Sequence, residues 1–295
     1  MDYLKKYKNF NKIFENKQTD EEIHELCKKY NIINYEIHDD MSISVNGDVS
    51  FYKQGLSHLP LRFKKVSGFF DMAYNPIKTL KGCPIEIGGD FSCSYTKIKS
   101  FDHAPKKVGG ILCKGNDIKS TNNIPYVERN IIISENKLES LDGIQEIING
   151  NFYCGHNELK SLEPVIEVKG HLMADRNKLS DFYSIPKVPI NKKIWLNNNK
   201  FEFIYSAFDM EENPSLIEDF NELDIIQGNK IILDRLKEFI IMNKEQLKAN
   251  VFSDFGLSKS EYNDKINRLL DVDSDFIKNI QHFSNGYYEI VDNIF

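Results

Sequence analysis

Phe70-Asp71-Met72-Ala73-Tyr74-Asn75-Pro76-Ile77, followed three residues later by Leu80, is the stretch on which the fold turns. Its pattern is apolar, x, apolar, x, x, Asn, x, apolar, x, x, apolar. Stepping along the chain by 20 to 22 residues finds it again and again. The first apolar site reads Val49, Phe70, Phe91, Ile111, Ile131, Phe152, Leu172, Ile194. The second reads Phe51, Met72, Cys93, Cys113, Ile133, Cys154, Ala174, Leu196. The third reads Leu56, Ile77, Ile98, Ile118, Leu138, Leu159, Leu179, Phe201, and the fourth Leu59, Leu80, Phe101, Thr121, Leu141, Leu162, Phe182, Ile204. Between the second and third lies a column of Gln54, Asn75, Thr96, Asn116, Asn136, Asn157, Asn177 and Asn199. Self-similarity at a fixed period of this length is the signature of stacked turns.

Each column has a physical reason. Apolar residues at i and i+2 form one face of a short strand, because side chains alternate sides. Stacking such strands in parallel turns that face into a core. Asn carries both a donor and an acceptor on a short side chain. Pointing inward after the strand, it is expected to bond backbone groups of its own and the next turn. Left unpaired, such buried groups would cost about 1–3 kcal/mol each. Gly47, Gly68, Gly89, Gly110, Gly150 and Gly170 recur just before the strand, as expected of turns that need positive φ. Pro84, Pro105, Pro125 and Pro186 recur on the return side, off the ladder. The grammar is that of a leucine-rich repeat in a short form. The expected fold is α/β: about eight repeats over 45–205, with a parallel sheet on the concave face.

The ends read as helical. A solenoid exposes its core at both ends and needs caps. Residues 1–44 are expected to form a helical N-terminal cap. Thr19-Asp20-Glu21-Glu22 has a capping-box pattern, with Ile23, Leu26 and Cys27 on one helical face. An earlier helix over 3–14 is plausible from the pattern. Residues 206–295 are expected to form a helical C-terminal region, from the spacing of Ile231, Ile232, Leu236, Phe239 and Ile240. A second capping box at Ser258-Lys259-Ser260-Glu261 precedes Ile266, Leu269 and Leu270, and Phe276, Ile277 and Ile280 suggest a last helix.

Several phrases carry a more particular likeness. Val66-Ser67-Gly68-Phe69-Phe70, Leu80-Lys81-Gly82-Cys83-Pro84 and Ile87-Gly88-Gly89-Asp90-Phe91-Ser92-Cys93-Ser94-Tyr95 resemble the repeats of leucine-rich-repeat-like proteins from large tailed bacteriophages. The lead-in from Cys27 to Ile32 and on through Asn46-Gly47-Asp48-Val49, the segment Leu56-Ser57-His58-Leu59-Pro60, and the later Asp219-Phe220-Asn221-Glu222-Leu223-Asp224-Ile225-Ile226 are similar to the same group. The likeness spans roughly residues 25–240, and the phrase built on Gly-Cys-Pro decays after residue 105. It implies a fold and a binding role in the cytoplasm of the host cell, not a defined activity.

Function is expected to sit on the concave face. The residue between the two inward strand positions points to solvent there, and reads Ser50, Asp71, Ser92, Leu112, Ile132, Tyr153, Met173, Trp195. The last five are apolar or aromatic and include the single Trp of the chain. Strands spaced ~4.8 Å apart would make them a stripe of about 20 Å. Such patches mark interfaces, and Trp and Tyr are enriched at hot spots. Leu112, Ile132, Tyr153, Met173 and Trp195 are therefore the candidate protein-binding residues, flanked by His156, His171, Asp175, Arg176 and Lys193. Alternatively the C-terminal helices cover the stripe.

Other chemistries are less well supported. The net charge of -6 offers no basic face for nucleic acid, and no apolar run reaches the ~18 residues of a membrane span. Five cysteines without a CxxC pair, and a polar N-terminus, fit a reducing cytoplasm. Cys93, Cys113 and Cys154 read as core, with no metal ligand set beside them. After residue 205 there are 18 acidic and 9 basic residues. Glu211, Glu212, Glu218, Asp219, Glu222 and Asp224 read as a solvated surface, with DNA mimicry as the sharper alternative. His156, His171 and Asp175 could be drawn as an acid–base group but fit surface decoration better. Some bacterial leucine-rich-repeat proteins carry a helical ubiquitin-ligase domain with a catalytic Cys, and no Cys follows Cys154 here. The reading is a protein-binding module without cofactor or catalysis. The alternatives are a virion-associated spacer, or an enzyme with its site in the tail.

Overall fold

A computed structural model describes residues 18–180, 182, 184–189, 192–200, 210, 215–227, 230–243 and 289–291. The chain falls into two compact parts, Met1–Asn136 and Lys137–Phe295. In chain order the first holds helix α1 (Asp20–Lys29) and strands β1 (Tyr35–Ile37), β2 (Ile43–Val45), β3 (Val49–Ser50), β4 (Phe63–Val66), β5 (Phe70–Asp71), β6 (Glu86–Ile87), β7 (Asp90–Ser92), β8 (Lys107–Val108), β9 (Gly110–Leu112), β10 (Tyr126–Val127) and β11 (Ile131–Ile132). The second holds β12 (Ile147–Ile148), β13 (Phe152–Tyr153), β14 (Glu167–Val168), β15 (Leu172–Met173), β16 (Ile194–Trp195), α2 (Ser215–Glu222), β17 (Ile226–Gln227), β18 (Lys230–Ile232), α3 (Leu233–Met242) and β19 (Glu289–Val291).

Both parts are stretches of parallel-sheet β-solenoid, about seven turns in all. Each turn contributes two short strands at a corner. In the first part β3, β5, β7, β9 and β11 stack in one parallel row, and β2, β4, β6, β8 and β10 in a second. In the second part β13, β15 and β16 continue the first kind of row, and β12 and β14 the second. Among the described residues no helix lies between β3 and β16. The expected α/β alternation is thus corrected. The return path carries a second parallel sheet, and helices occur only before and after the turns. The signal for that second row is a β-branched column at the same period: Val45, Val66, Ile87, Val108, Val127, Ile148 and Val168, all buried. β-Branched residues favour the pleated, half-buried surface of a strand.

The described members of the four apolar columns are buried, except half-buried Leu56 in the first turn. The Asn column works as a ladder, with one change of direction. Asn177 Nδ2 donates to Ala174 O (3.1 Å) in its own turn and to Cys154 O (3.1 Å) in the preceding one. Its Oδ1 accepts from Leu159 N (3.0 Å), again in the preceding turn. Asn75, Asn136 and Asn199 repeat the arrangement. The carboxamides reach back rather than forward, because the residue before each one is left-handed. Lys53, Tyr74, Tyr95, Gly115, Glu135, His156, Arg176 and Asn198 all have φ between 51° and 68°. That conformation costs an L-residue roughly 1–2 kcal/mol, which the bonds to otherwise orphaned backbone groups offset.

The corner glycines serve close approach rather than positive φ. Of the corner column, Gly47 alone combines a recurring position with a φ in that range, at 148°. Gly89 N donates to Gly68 O (2.8 Å), and Gly170 N to Gly150 O (3.0 Å). A Cβ on Gly89 would fall 2.7 Å from Gly68 C and Phe69 N. Backbone stacks on backbone at this corner, leaving no volume for a methyl group.

Helix α1 begins with the expected capping box: Glu22 N donates to Thr19 Oγ1 (3.2 Å), and Thr19 N to Glu22 Oε2 (2.9 Å). It buries Ile23 and Cys27, and the Tyr30 ring after it packs edge-on against Phe51. The rest of the N-terminal segment is not helical: β1 and β2 form an antiparallel hairpin, with Tyr35 opposite Val45. In the second part α2 sets Phe220 against Phe182, and Asn221 Nδ2 donates to Phe182 O (2.8 Å). Ile231 and Ile232, read from sequence as helical, lie in β18, which pairs with β17 and β19. The expected helices over 3–14 and after Ser258, together with Phe201, Ile204, Glu211 and Glu212, lie outside the described residues.

Candidate binding face

The strand pleat places every residue between two inward positions on the opposite face of the first row of strands. In the second part Tyr153 lies opposite Met173, and Met173 opposite Trp195, in register on β13, β15 and β16. In the first part Ile132 lies opposite Leu112 on β11 and β9, with Ser92 and Asp71 before them. All five apolar residues are half-buried. Neighbouring side chains on a sheet face occlude one another, so each shows part of its surface to solvent.

Polar groups frame the segment in the second part. The His171 ring lies 5.7 Å from the Trp195 ring, tilted by 45°. His171 Nδ1 accepts from Lys193 N at 2.9 Å, which leaves the imidazole proton on Nε2. His171 N in turn donates to Asn151 Oδ1 (2.8 Å). At the other end of the strands His156 Nε2 lies 3.5 Å from Asp175 Oδ2, and Arg176 Nε 4.0 Å from it. Asp175 Oδ1 is buried over the bare Gly155 and has no hydrogen-bond partner. The structure thus brings His156 to Asp175, while His171 belongs with Lys193 and Trp195. No nucleophile is paired with either imidazole in these contacts.

The cysteines are core residues. All five are free and buried. Burial pushes the Cys27 thiol up to about 11, against a smaller opposing hydrogen bond from Tyr35. Burial raises Cys83, Cys93 and Cys154 further, and the Asp175 carboxylate adds to the effect at Cys154. A thiol that holds its proton is a poor nucleophile and a poor metal ligand. Among the described residues no group of His, Cys, Asp and Glu could hold a metal ion, and no helix is long and apolar enough to cross a membrane.

The first part carries a surface feature that the column analysis missed. The left-handed position before the Asn ladder holds Tyr74 and Tyr95, whose rings stack at 4.7 Å. Tyr52 meets Tyr74 edge-on at 5.4 Å, and Lys53 Nζ lies 5.0 Å from both of those rings. Gly115 occupies the next left-handed position, and any Cβ there would run into the Tyr95 ring. Tyr95 OH donates to Glu135 Oε2 (3.2 Å), and Lys114 pairs with Glu135 (3.0 Å). The ring faces are turned toward one another along the stack. The ladder therefore ties turns together, rather than offering an open stacking platform. A shallow cavity of about 610 Å³ lies beside Asp102, His103, Lys106 and Asn123. Hydrogen bonds from Ser100 and Asn123 hold the Asp102 carboxyl below its ordinary range.

No protein-family model, curated protein or solved structure matches the chain.

Proposed function

We propose that this chain is a leucine-rich-repeat binding protein, of the kind its repeats resemble in large tailed bacteriophages, that engages another protein through the outward residues of its first row of strands. The observation that carries this reading is the in-register set Tyr153, Met173 and Trp195, half-exposed on three adjacent strands. A tyrosine, a flexible thioether and an indole side by side form the kind of surface that buries well against a partner. Leu112 and Ile132 extend the same face in the first part. The Asn ladder and the period support the leucine-rich-repeat type. On this reading α1 and α2 cap the turns through Tyr30 on Phe51 and Phe220 on Phe182. The module works by binding, without a cofactor, in the cytoplasm of an infected host.

The test uses a Tyr153→Asp, Trp195→Asp double variant, checked first for an unchanged circular dichroism spectrum and melting curve. Both forms are used for affinity capture from bacterial lysate, and the captured protein is then titrated against each by calorimetry. The reading expects one partner whose binding is lost in the double variant. Equal binding by both folded forms removes the face from consideration. Loss of folding in the variant assigns these side chains to internal packing and overturns the site.

A further inference from the structure

Asn46 and Gly47 sit at the corner between β2 and β3, with Asn46 exposed. Asn-Gly is the dipeptide in which the following amide nitrogen reaches the side-chain carbonyl most easily, because glycine places no Cβ in the way. Here the next turn supplies a hydroxyl to both reacting groups. Gly47 N donates to Ser67 Oγ at 2.9 Å, and Ser67 Oγ donates to Asn46 Oδ1 at 3.0 Å. One side chain therefore accepts the proton of the attacking nitrogen and donates to the carbonyl under attack. The corner itself is held: Asn46 N donates to Asn34 O (2.9 Å), Ser67 N to Val45 O (3.0 Å), and Gly68 N to Gly47 O (2.9 Å).

We propose that Asn46–Gly47 is a self-modification site, at which Ser67 relays the proton for conversion of Asn46 to a succinimide and then to aspartate or isoaspartate. Gly47 N forms a bond to Asn46 Cγ as its proton passes to Ser67 Oγ, and the Ser67 hydroxyl proton passes to Asn46 Oδ1. The tetrahedral carbon collapses by breaking its bond to the side-chain nitrogen. The Oδ1 proton goes with that nitrogen, which leaves as ammonia. Water then opens the cyclic imide at either carbonyl. The inference is independent of the binding reading.

The consequence follows from the stacking. Isoaspartate inserts a methylene into the main chain where Gly47 O is bonded to Gly68 N, and a Cβ on Gly68 would already lie 2.7 Å from Gly47 O. The corner has no room for the longer chain. Modification would therefore loosen the first turn and place a new carboxylate two residues from Asp48, whose Oδ1 accepts from Phe69 N (2.9 Å).

The chain contains its own control. Asn149–Gly150 has a similar local sequence, Ile-Asn-Gly-Asn against Val-Asn-Gly-Asp. There the next turn supplies Lys169, whose Nζ donates to Asn149 Oδ1 at 2.9 Å. An ammonium bonded to the carbonyl has no lone pair with which to accept the Gly150 proton.

The experiment incubates the full chain at neutral pH for days, native and in urea, and follows both sites by peptide mass mapping and isoaspartate assay. In urea the two sites should convert at similar rates. In the native chain Asn46 should convert about tenfold faster than Asn149, a modest share of what positioned general acid–base groups achieve. Ser67→Ala should bring Asn46 down to the Asn149 rate, while Ser67→Thr keeps the hydroxyl and the rate. Ser67 is exposed, and circular dichroism checks each variant. Native conversion of Asn46 no faster than that of Asn149 overturns the proposal, as does an unchanged Asn46 rate in folded Ser67→Ala.

Discussion

Replacing Asn177 with alanine removes one rung of the internal ladder, and the neighbouring contacts set the magnitude. Leu159 N–H loses its acceptor, Asn177 Oδ1 at 3.0 Å, inside a buried turn. An orphaned buried donor costs about 1–3 kcal/mol. Two carbonyls also lose a donor, yet neither is stranded. Cys154 O keeps Asn157 Nδ2 at 3.0 Å, and Ala174 O keeps Asn199 Nδ2 at 3.0 Å. Each of those losses is worth about 0.5–1 kcal/mol. The sum is about 3 kcal/mol, or roughly 10 °C in Tm for a domain of this size. Asn177→Asp tests the donor separately. It keeps an oxygen for Leu159 N but turns a second one toward Cys154 O and Ala174 O, so it should be at least as damaging as alanine. Urea unfolding followed by circular dichroism and by the fluorescence of Trp195 measures both. A loss under about 1 kcal/mol for Asn177→Ala, or an Asp variant clearly more stable than the Ala variant, would refute the ladder reasoning.

Two further predictions concern the corner and the thiols. Gly89→Ala should destabilise by about 3 kcal/mol in the same assay, since its Cβ would meet backbone that cannot rotate away, at the upper end of overpacking costs; an unchanged midpoint would mean that the corner is looser than its distances imply. The thiols should resist alkylation at pH 8 until the chain unfolds, with Cys27 beginning to react only as the pH approaches about 11. The same shifts make stability pH-dependent. The folded thiols hold their protons longer than unfolded ones, so their contribution is complete below about pH 8.5. It is lost progressively above that, through about pH 11 for Cys27. A midpoint that rises between pH 8.5 and 10 contradicts the sign.

Much of the turn was legible in the sequence because a solenoid repeats its constraints. Each inward position recurs in the same environment at the same period, so Phe70, Phe91 and Phe152 announce one another. The capping box at Thr19 was legible for a local reason: both of its bonds lie within four residues. The second row of strands was overlooked although its column, from Val45 to Val168, is as regular as the others. It lies next to the glycines, and glycine was read there as a turn residue. The tail misled for a different reason. Ile231 and Ile232 satisfy a helical spacing, but a two-residue apolar pair fits a strand equally well, and pairing with β17 and β19 decided it. The candidate face was legible as a column of residue types, Leu112 to Trp195. The partnership of Lys193 with His171, and of His156 with Asp175, was not, because it depends on which way side chains lean between turns.

The sequence by itself determined the period, the inward columns and the stacking of turns, since alternation and burial act on residues a fixed distance apart along the chain. Tertiary structure decided what crosses from one turn to the next. It made the Asn ladder reach backward, turned the corner glycines into points of backbone contact, stacked Tyr74 on Tyr95, and set the Ser67 hydroxyl against Asn46 and Gly47. Those contacts join residues about twenty positions apart, and a few tenths of an ångström in the spacing of neighbouring turns decides whether each forms.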